Sequence, residues 1–208
     1  DGKQDSFKSA PNNYVKDLFD QYANSFEDHL QKVLSYKAPE IIYDMLSKHF
    51  DIENKEKLSI CDIGCGTGLM GIKLHEHSSI LIGVDLSEKM LDQAREKNIY
   101  TDLISKDIND FLKTKSNTFN IITAADVVPY YGDITELFAN VKESLKEDGV
   151  FTFSVESSES ANYSLGKNAR FTHNKNYIIE CATKLGLMII GTSELSTRKE
   201  GTNEIACH

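Results

Sequence analysis

Asp62-Ile-Gly-Cys-Gly-Thr-Gly68 places a carboxylate two residues ahead of three glycines at alternate positions, Gly64, Gly66 and Gly68. An apolar run with Ile60 and Ile63 precedes it, and a helical pattern, Leu69, Ile72 and then Leu74, follows. Strand, glycine turn and helix in that order bring a ligand against backbone N–H groups at a helix start. The spacing is not Gly-x-Gly-x-x-Gly, the form that seats a pyrophosphate. A carboxylate at Asp62 would repel a pyrophosphate and favour a cation, directly or through water. Asp85 stands 21 residues after Gly64, closing the run Ile80-Leu-Ile-Gly-Val-Asp85. An acid at the end of a second strand can accept hydrogen bonds from both hydroxyls of a ribose. The ligand implied carries a ribose and a positive charge and needs no phosphate.

S-adenosylmethionine fits that description. Asp62 to Gly68 resembles the first motif of the class I S-adenosylmethionine-dependent methyltransferases, and Val84-Asp-Leu-Ser-Glu-Lys-Met-Leu91 resembles their second. The resemblance covers roughly residues 55 to 155. It implies a cofactor site made of Asp62, Gly64, Cys65, Gly66, Gly68, Asp85, Leu86 and Met90, continued by Lys106, Asp107, Ile108 and Asp126. In that superfamily an acid at the position of Asp107 often binds the adenine amino group; the residue could equally cap a helix over Ile108 to Leu112. A bare strand–helix turn without a ligand would explain neither Asp62 nor Asp85. Two other classes stay open: a nicotinamide dehydrogenase, and a cofactor-binding protein that acts through a partner without catalysis.

The elements that must position these groups follow in chain order. Pro11 and Asn12 can open a helix whose apolar face is Val15, Leu18, Phe19, Tyr22 and Phe26. The stretch from Phe19 to Leu30 is similar to a narrower group, methyltransferase-like proteins some of which carry tetratricopeptide repeats; no repeat array is present in this chain. A second helix runs from about Pro39 to Phe50, with Pro39 in its first turn. In the superfamily such N-terminal helices often lie over the ligand as a lid. Ser87 is a good N-cap for the helix after Asp85. Asp102–Ser105, Phe119–Ala125 and Val150–Val155 read as strands, separated by a helix that carries Ile134, Leu137, Phe138, Val141 and Leu145 and ends at Gly149. Residues 156–169 read as a polar loop, Asn174 as a cap for a helix with Tyr177, Ile178, Cys181 and Leu185 inside, and Leu187–Thr192 and Asn203–Cys207 as the last strands. The fold expected is α/β: a doubly wound, Rossmann-like, seven-stranded, mostly parallel sheet with helices on both faces. Residues 1–50 form an N-terminal helical lid segment and 51–208 the S-adenosylmethionine-binding domain, as one structural domain.

Composition bounds the partners. The 208 residues carry a net charge of −9, which argues against a nucleic-acid backbone as partner. No apolar run reaches the roughly 20 residues that cross a bilayer, and the opening Asp1–Ser6 is polar, without the apolar core of a secretory signal. Cys61, Cys65, Cys181 and Cys207 form neither a disulfide framework nor a paired Cys-x-x-Cys metal pattern. The expectation is a cytoplasmic protein with no metal; oligomeric state is left open.

The acceptor side carries less signal. Ligands of an open α/β sheet bind beyond the carboxyl ends of its strands, which gathers Asp126 and Glu156 on the same edge as the glycine turn. Asp126-Val-Val-Pro-Tyr-Tyr131 follows the fourth strand in place of the Asn-Pro-Pro-Tyr type motif of many amide- and adenine-amino methyltransferases, as in many small-molecule enzymes. The acceptor expected is therefore a small molecule. Tyr130 and Tyr131 could face it or pack beneath a lid, and Tyr22 could line it from the N-terminal helix. Arg170-Phe-Thr-His173 resembles an Arg-Tyr-x-His run of the narrower group; Arg170 could bind an acidic acceptor or form an ion pair. The residue that would act as general base is unassigned, with His29, Tyr130 and His173 as candidates, and a base is needed only if the acceptor must lose a proton.

Overall fold

The computed structural model describes residues 8–32, 36–55, 57–160, 162–166, 168–200 and 203–207. The chain opens with three helices, α1 (Asn12–Tyr22), α2 (Phe26–Lys32) and α3 (Ala38–Phe50). It then alternates: β1 (Leu58–Ile63), α4 (Leu69–Leu74), β2 (Ser78–Asp85), α5 (Glu88–Glu96), β3 (Asp102–Ser105), α6 (Ile108–Leu112), β4 (Phe119–Ala124), α7 (Thr135–Ser144) and β5 (Leu145–Phe153). The five strands pair in parallel in the order β3-β2-β1-β4-β5. The order reverses between β1 and β4, so a crevice opens there beyond their carboxyl ends.

Local sequence explains the elements. Ser87 caps α5, its Oγ accepting from Met90 N–H at 3.2 Å, and Met90, Leu91 and Ala94 are buried along one stripe. β1 and β4 are apolar almost throughout because helices cover both faces of the sheet. On one face α3 and α4 contribute Ile42, Leu46, Met70 and Leu74 to a core with Ile60, Leu81 and Ile121. On the other, Phe111, Leu137, Phe138 and Val141 pack on Ile63, Val84, Phe119 and Ile122. Each fully buried Leu, Ile or Phe in these layers stabilises by about 1.5–3 kcal/mol.

The sheet departs from the seven strands expected. Leu187–Thr192 forms no strand. With α3, β5 and α8 (Lys175–Lys184) it lines an apolar cavity of about 570 Å³ that contains none of the expected site residues. Met188 is 82% exposed. An apolar run specifies a wish for burial and no partner, which is why the sequence suggests a strand here. The supposed polar loop 156–169 instead holds β6 (Glu156–Ser157) and β7 (Tyr163–Leu165). With β8 (Phe171–His173), β9 (Leu195–Glu200) and β10 (Asn203–Cys207) they form a second five-stranded sheet, order β7-β8-β6-β10-β9. β5 also begins earlier than expected, directly at the end of α7. The expected single N-terminal helix is two, broken by a 3₁₀ turn at Ala23–Ser25. No residue of α1 is buried, and Leu18, expected on its inward face, is 40% exposed.

Candidate functional site

The turn after β1 is the floor of the site. Gly64 and Gly66 adopt left-handed φ of 64° and 53°, and Gly64 and Cys65 both donate their N–H to Val84 O, at 2.7 and 3.1 Å. That fold of the chain leaves Gly66 as bare backbone. A Cβ there would meet nothing nearer than the Phe26 ring, 3.9 Å away across open space. Asp85 sits beside it. Its Oδ2 accepts from Gly66 N–H at 2.9 Å and its Oδ1 from Ser87 N–H at 2.8 Å, so the carboxylate is oriented before any ligand arrives. Burial pushes its pKa up against these backbone donors. The Thr67 hydroxyl, in the same turn, is buried without a hydrogen-bond partner, an orphaned polar atom of the kind a ligand or a water satisfies.

Asp62 takes a different place from the one expected. It is 1% exposed and does not line the cavity. Tyr100 Oη donates to its Oδ2 at 2.7 Å and Thr123 Oγ1 to its Oδ1 at 2.9 Å, which locks β1 to β4 and to the connection before β3. Any influence on a cationic ligand therefore acts through the turn. Burial, with Asp85 nearby, raises its pKa to about 6 despite the two donors. The sign follows. The folded protein holds this proton up to about pH 6, whereas the unfolded chain releases it near the ordinary carboxylate value of about 3.9. Between those values the folded state binds more protons, so this group's contribution to stability falls as pH rises, by about 3 kcal/mol in all. Urea midpoints measured from pH 4 to 7 should show that slope in the wild-type chain relative to Asp62→Asn. Equal slopes would contradict it.

The opposite wall comes from β4 and the second sheet. Asp126, with a left-handed φ of 63°, follows β4. Its Oδ1 accepts from Arg170 Nη2 at 2.5 Å, Glu156 Oε1 accepts from Arg170 Nε at 2.6 Å, and Tyr130 Oη accepts from Nη1 at 3.0 Å. Arg170 is 8% exposed, with its charge matched by two carboxylates, and these neighbours hold it protonated. It is a structural clamp between the two sheets rather than a free cation for an acidic acceptor. His173 is fully buried, with Nε2 against Gly132 O, stacked on Tyr177 and away from the cavity. Burial lowers its pKa; it is not positioned to touch an acceptor.

The helices α1 and α2 close the space from above. Lys8–Ala10 pairs with the loop after β4, Lys8 O accepting from Gly132 and Asp133 N–H and Ala10 N–H reaching Tyr130 O. On the far side Ser87 Oγ donates to Asp20 Oδ1 at 2.6 Å, Gln93 Nε2 to Ala23 O at 2.7 Å, and Lys97 pairs with Glu27 at 2.6 Å. Between roof and floor lies a cavity of about 250 Å³. Gly64, Gly66, Asp85, Leu86, Ile108 and Asp126 line it from the core, as do Tyr130, Tyr131 and Arg170; Tyr22, Phe19 and Phe26 line it from the roof. Tyr131 also packs against the core beneath. Cys65, Gly68, Met90 and Lys106 do not line it: Cys65 and Met90 are buried below and Lys106 is exposed. Asp107 does not line it either and is a helix cap, its Oδ1 accepting from Asp110 N–H and its Oδ2 from Asn12 Nδ2, a lining residue, each at 3.0 Å.

Residues 60–149, which contain the turn, Asp85 and Asp107, match the family model described as a methyltransferase domain. Over that stretch the chain is similar to methyltransferase domains, which favours methyl transfer over the nicotinamide reading. The Bacillus subtilis protein YqeM, named as a methyltransferase, is 30% identical over 122 residues, 56% of this chain and 49% of its own. A ubiquinone biosynthesis O-methyltransferase of Coxiella burnetii is 29% identical over 100 residues, 46% of this chain and 42% of its own. The chain spans about half the length of the curated relatives it matches. The crystal structure of Synechocystis PCC 6803 magnesium protoporphyrin IX methyltransferase with bound S-adenosylhomocysteine shares the fold, with a TM-score of 0.72 over 94% of this chain and 95% of that one at 16% identity. S-adenosylmethionine fits the residues that line the cavity, the bare backbone at Gly66 and the oriented Asp85. Among the described residues no cluster of His, Cys, Asp and Glu could hold a metal, and no helix is long and apolar enough to cross a membrane.

Tyr100 and Asn12 carry parts of this site that motif reading assigns no role. Tyr100 lies in the connection before β3 and Asn12 in the first helix, each far in sequence from its acidic partner. No local signal marks either.

Proposed function

We propose that this chain transfers the methyl group of S-adenosylmethionine to a small-molecule acceptor held between α1–α2 and the carboxyl ends of β1 and β4. The observation that carries the reading is the single cavity in which the bare Gly66 backbone, Asp85 and an aromatic roof face one another. Asp85 would hold the ribose hydroxyls, Asp107 the adenine amino group, and Leu86 and Ile108 the flanks of the ring. When bound, the cofactor supplies an electrophilic methyl group on a sulfonium. The chain's own residues position the acceptor and keep water away. The curated relative named for ubiquinone biosynthesis and the structural neighbour named for magnesium protoporphyrin act on small molecules by name, which supports that acceptor class. Formation of S-adenosylhomocysteine across an acceptor panel tests the reading; cofactor binding without turnover on any acceptor would instead favour a non-catalytic role.

The roof is proposed as a lid made of α1 and α2 alone, since α3 belongs to the core. As it stands the cavity, about 250 Å³, falls below the roughly 300–1,000 Å³ of sites that hold drug-sized ligands. The roof must therefore rise to admit cofactor and acceptor. Its contacts are suited to that: α1 buries no residue, and surface ion pairs such as Lys97–Glu27 are worth only about 0–1 kcal/mol each. Hydrogen exchange on residues 10–32 is expected to slow on adding S-adenosylhomocysteine. Strong protection that is the same with and without ligand would make this segment ordinary scaffold.

A further inference from the structure

Four rings cross the roof of the cavity in an unbroken edge-to-face chain. Tyr130 meets Phe19 at 5.7 Å between centroids, Phe19 meets Phe26 at 6.0 Å, and Phe26 meets Tyr22 at 5.2 Å. All four line the cavity. The chain continues outside it: Tyr22 meets the His29 ring at 5.3 Å, and Tyr22 Oη is hydrogen-bonded to His29 Nδ1. His29 does not line the cavity and is half-buried. Tyr22 thus stands in the cavity wall with its hydroxyl on an imidazole that lies outside the lining.

Two features narrow what can sit against that hydroxyl. The walls are aromatic, which favours a planar apolar body. The charged lining residues are Asp85, Asp126 and Arg170, and the Arg170 guanidinium already faces Asp126 and Glu156. A hydroxyl acceptor must lose its proton to become a good nucleophile.

Resting on the methyltransferase reading above, we propose that the acceptor is an aromatic or enolic hydroxyl compound and that Tyr22 and His29 carry its proton away. The acceptor hydroxyl donates to Tyr22 Oη. Its proton moves to that oxygen as the Tyr22 proton moves to His29 Nδ1, in the tautomer whose other proton is on Nε2. The acceptor becomes an oxyanion, Tyr22 ends neutral as it began, and the imidazolium of His29 returns its proton to solvent. Burial holds the Tyr22 phenol above its ordinary range, so it stays protonated between turnovers, as a relay needs. A phenol or enol is matched in acidity to tyrosine; an alkyl alcohol is far too weak an acid for the exchange. Tyr22 is the catalytic residue, and His29 acts through it.

The test uses 4-hydroxyacetophenone, whose phenolate absorbs at longer wavelength than its phenol, titrated at neutral pH into the full chain saturated with S-adenosylhomocysteine, so that no turnover occurs. The expected result is a bound, ionised dye in the wild-type chain, with the ionised fraction lower by about tenfold or more in both Tyr22→Phe and His29→Gln while S-adenosylhomocysteine still binds. Tyr22→Phe keeps the ring packing, and a packing role alone would not move the spectrum. If Tyr22→Phe fails to fold, His29→Gln carries the test. A dye bound neutral in the wild-type chain, or ionised equally in the variants, overturns the relay. No binding of 4-hydroxyacetophenone to protein that binds S-adenosylhomocysteine overturns the acceptor class. Failure to bind S-adenosylhomocysteine at all overturns the methyltransferase reading itself.

Discussion

Gly71→Ala is expected to lower stability by about 3 kcal/mol, although alanine is the better helix former by about 1 kcal/mol. Gly71 lies in α4, and a Cβ there would stand 2.3 Å from Tyr100 Oη and 2.4 Å from its Cζ. Tyr100 has little room to step aside. Its ring also faces Gly83 and Gly68, where an added Cβ would stand 2.9 and 3.1 Å from ring carbons, and its hydroxyl is committed to Asp62. Moving it leaves the buried Asp62 with one donor fewer, at about 1–3 kcal/mol. Overpacking adds about 1–3 kcal/mol. Chemical denaturation measures the sum. In a Tyr100→Leu background the glycine penalty should shrink to about 1 kcal/mol or less, because the two sites are coupled by contact. A midpoint unchanged by Gly71→Ala would mean that Tyr100 does not occupy this slot.

Asp85→Ala is expected to weaken S-adenosylhomocysteine binding by about 1.5–3 kcal/mol, roughly ten- to a hundredfold. Gly66 and Ser87 N–H groups already aim its two oxygens, so removing them costs orientation as well as acceptors. Stability should move much less than affinity, because a buried carboxylate whose pKa is raised by desolvation is itself a burden on the fold. Asp62→Asn should behave in the opposite way, changing the pH dependence of stability more than the affinity. Equal affinity of Asp85→Ala and wild type would remove Asp85 from the ribose role.

The central parallel sheet was legible because its signals are local. Alternate glycines, the Ser87 cap and apolar runs such as Phe119–Ala124 each fix an element without reference to distant chain. The same holds for the placement of Asp85 beside the turn, which follows from strand order. What was not legible depends on partners far away in sequence. Asp62 reads as a ligand-facing carboxylate until Tyr100 and Thr123 are seen to take both its oxygens. Arg170 reads as an anion site until Asp126 and Glu156 are seen on either side of it. His173 and His29 look alike as single histidines; one is sealed beneath Gly132 and the other stands behind Tyr22. Leu187–Thr192 has a strand's composition, yet the hairpin β9–β10 pairs with β6 and leaves β5 with an open edge. Residues 1–10 read as loosely packed from their sequence; residues 1–7 lie outside the described residues, whereas Lys8–Ala10 pairs with the loop after β4.

The central claim is that a nucleoside sulfonium cofactor binds over Gly66 and Asp85, beneath α1 and α2. Calorimetric titration of the folded chain with S-adenosylhomocysteine tests it most directly. The account predicts saturable binding at one site per chain, accompanied by a rise in melting temperature and lost or strongly weakened in Asp85→Ala. Absence of both heat and thermal shift in protein shown to be folded would contradict it.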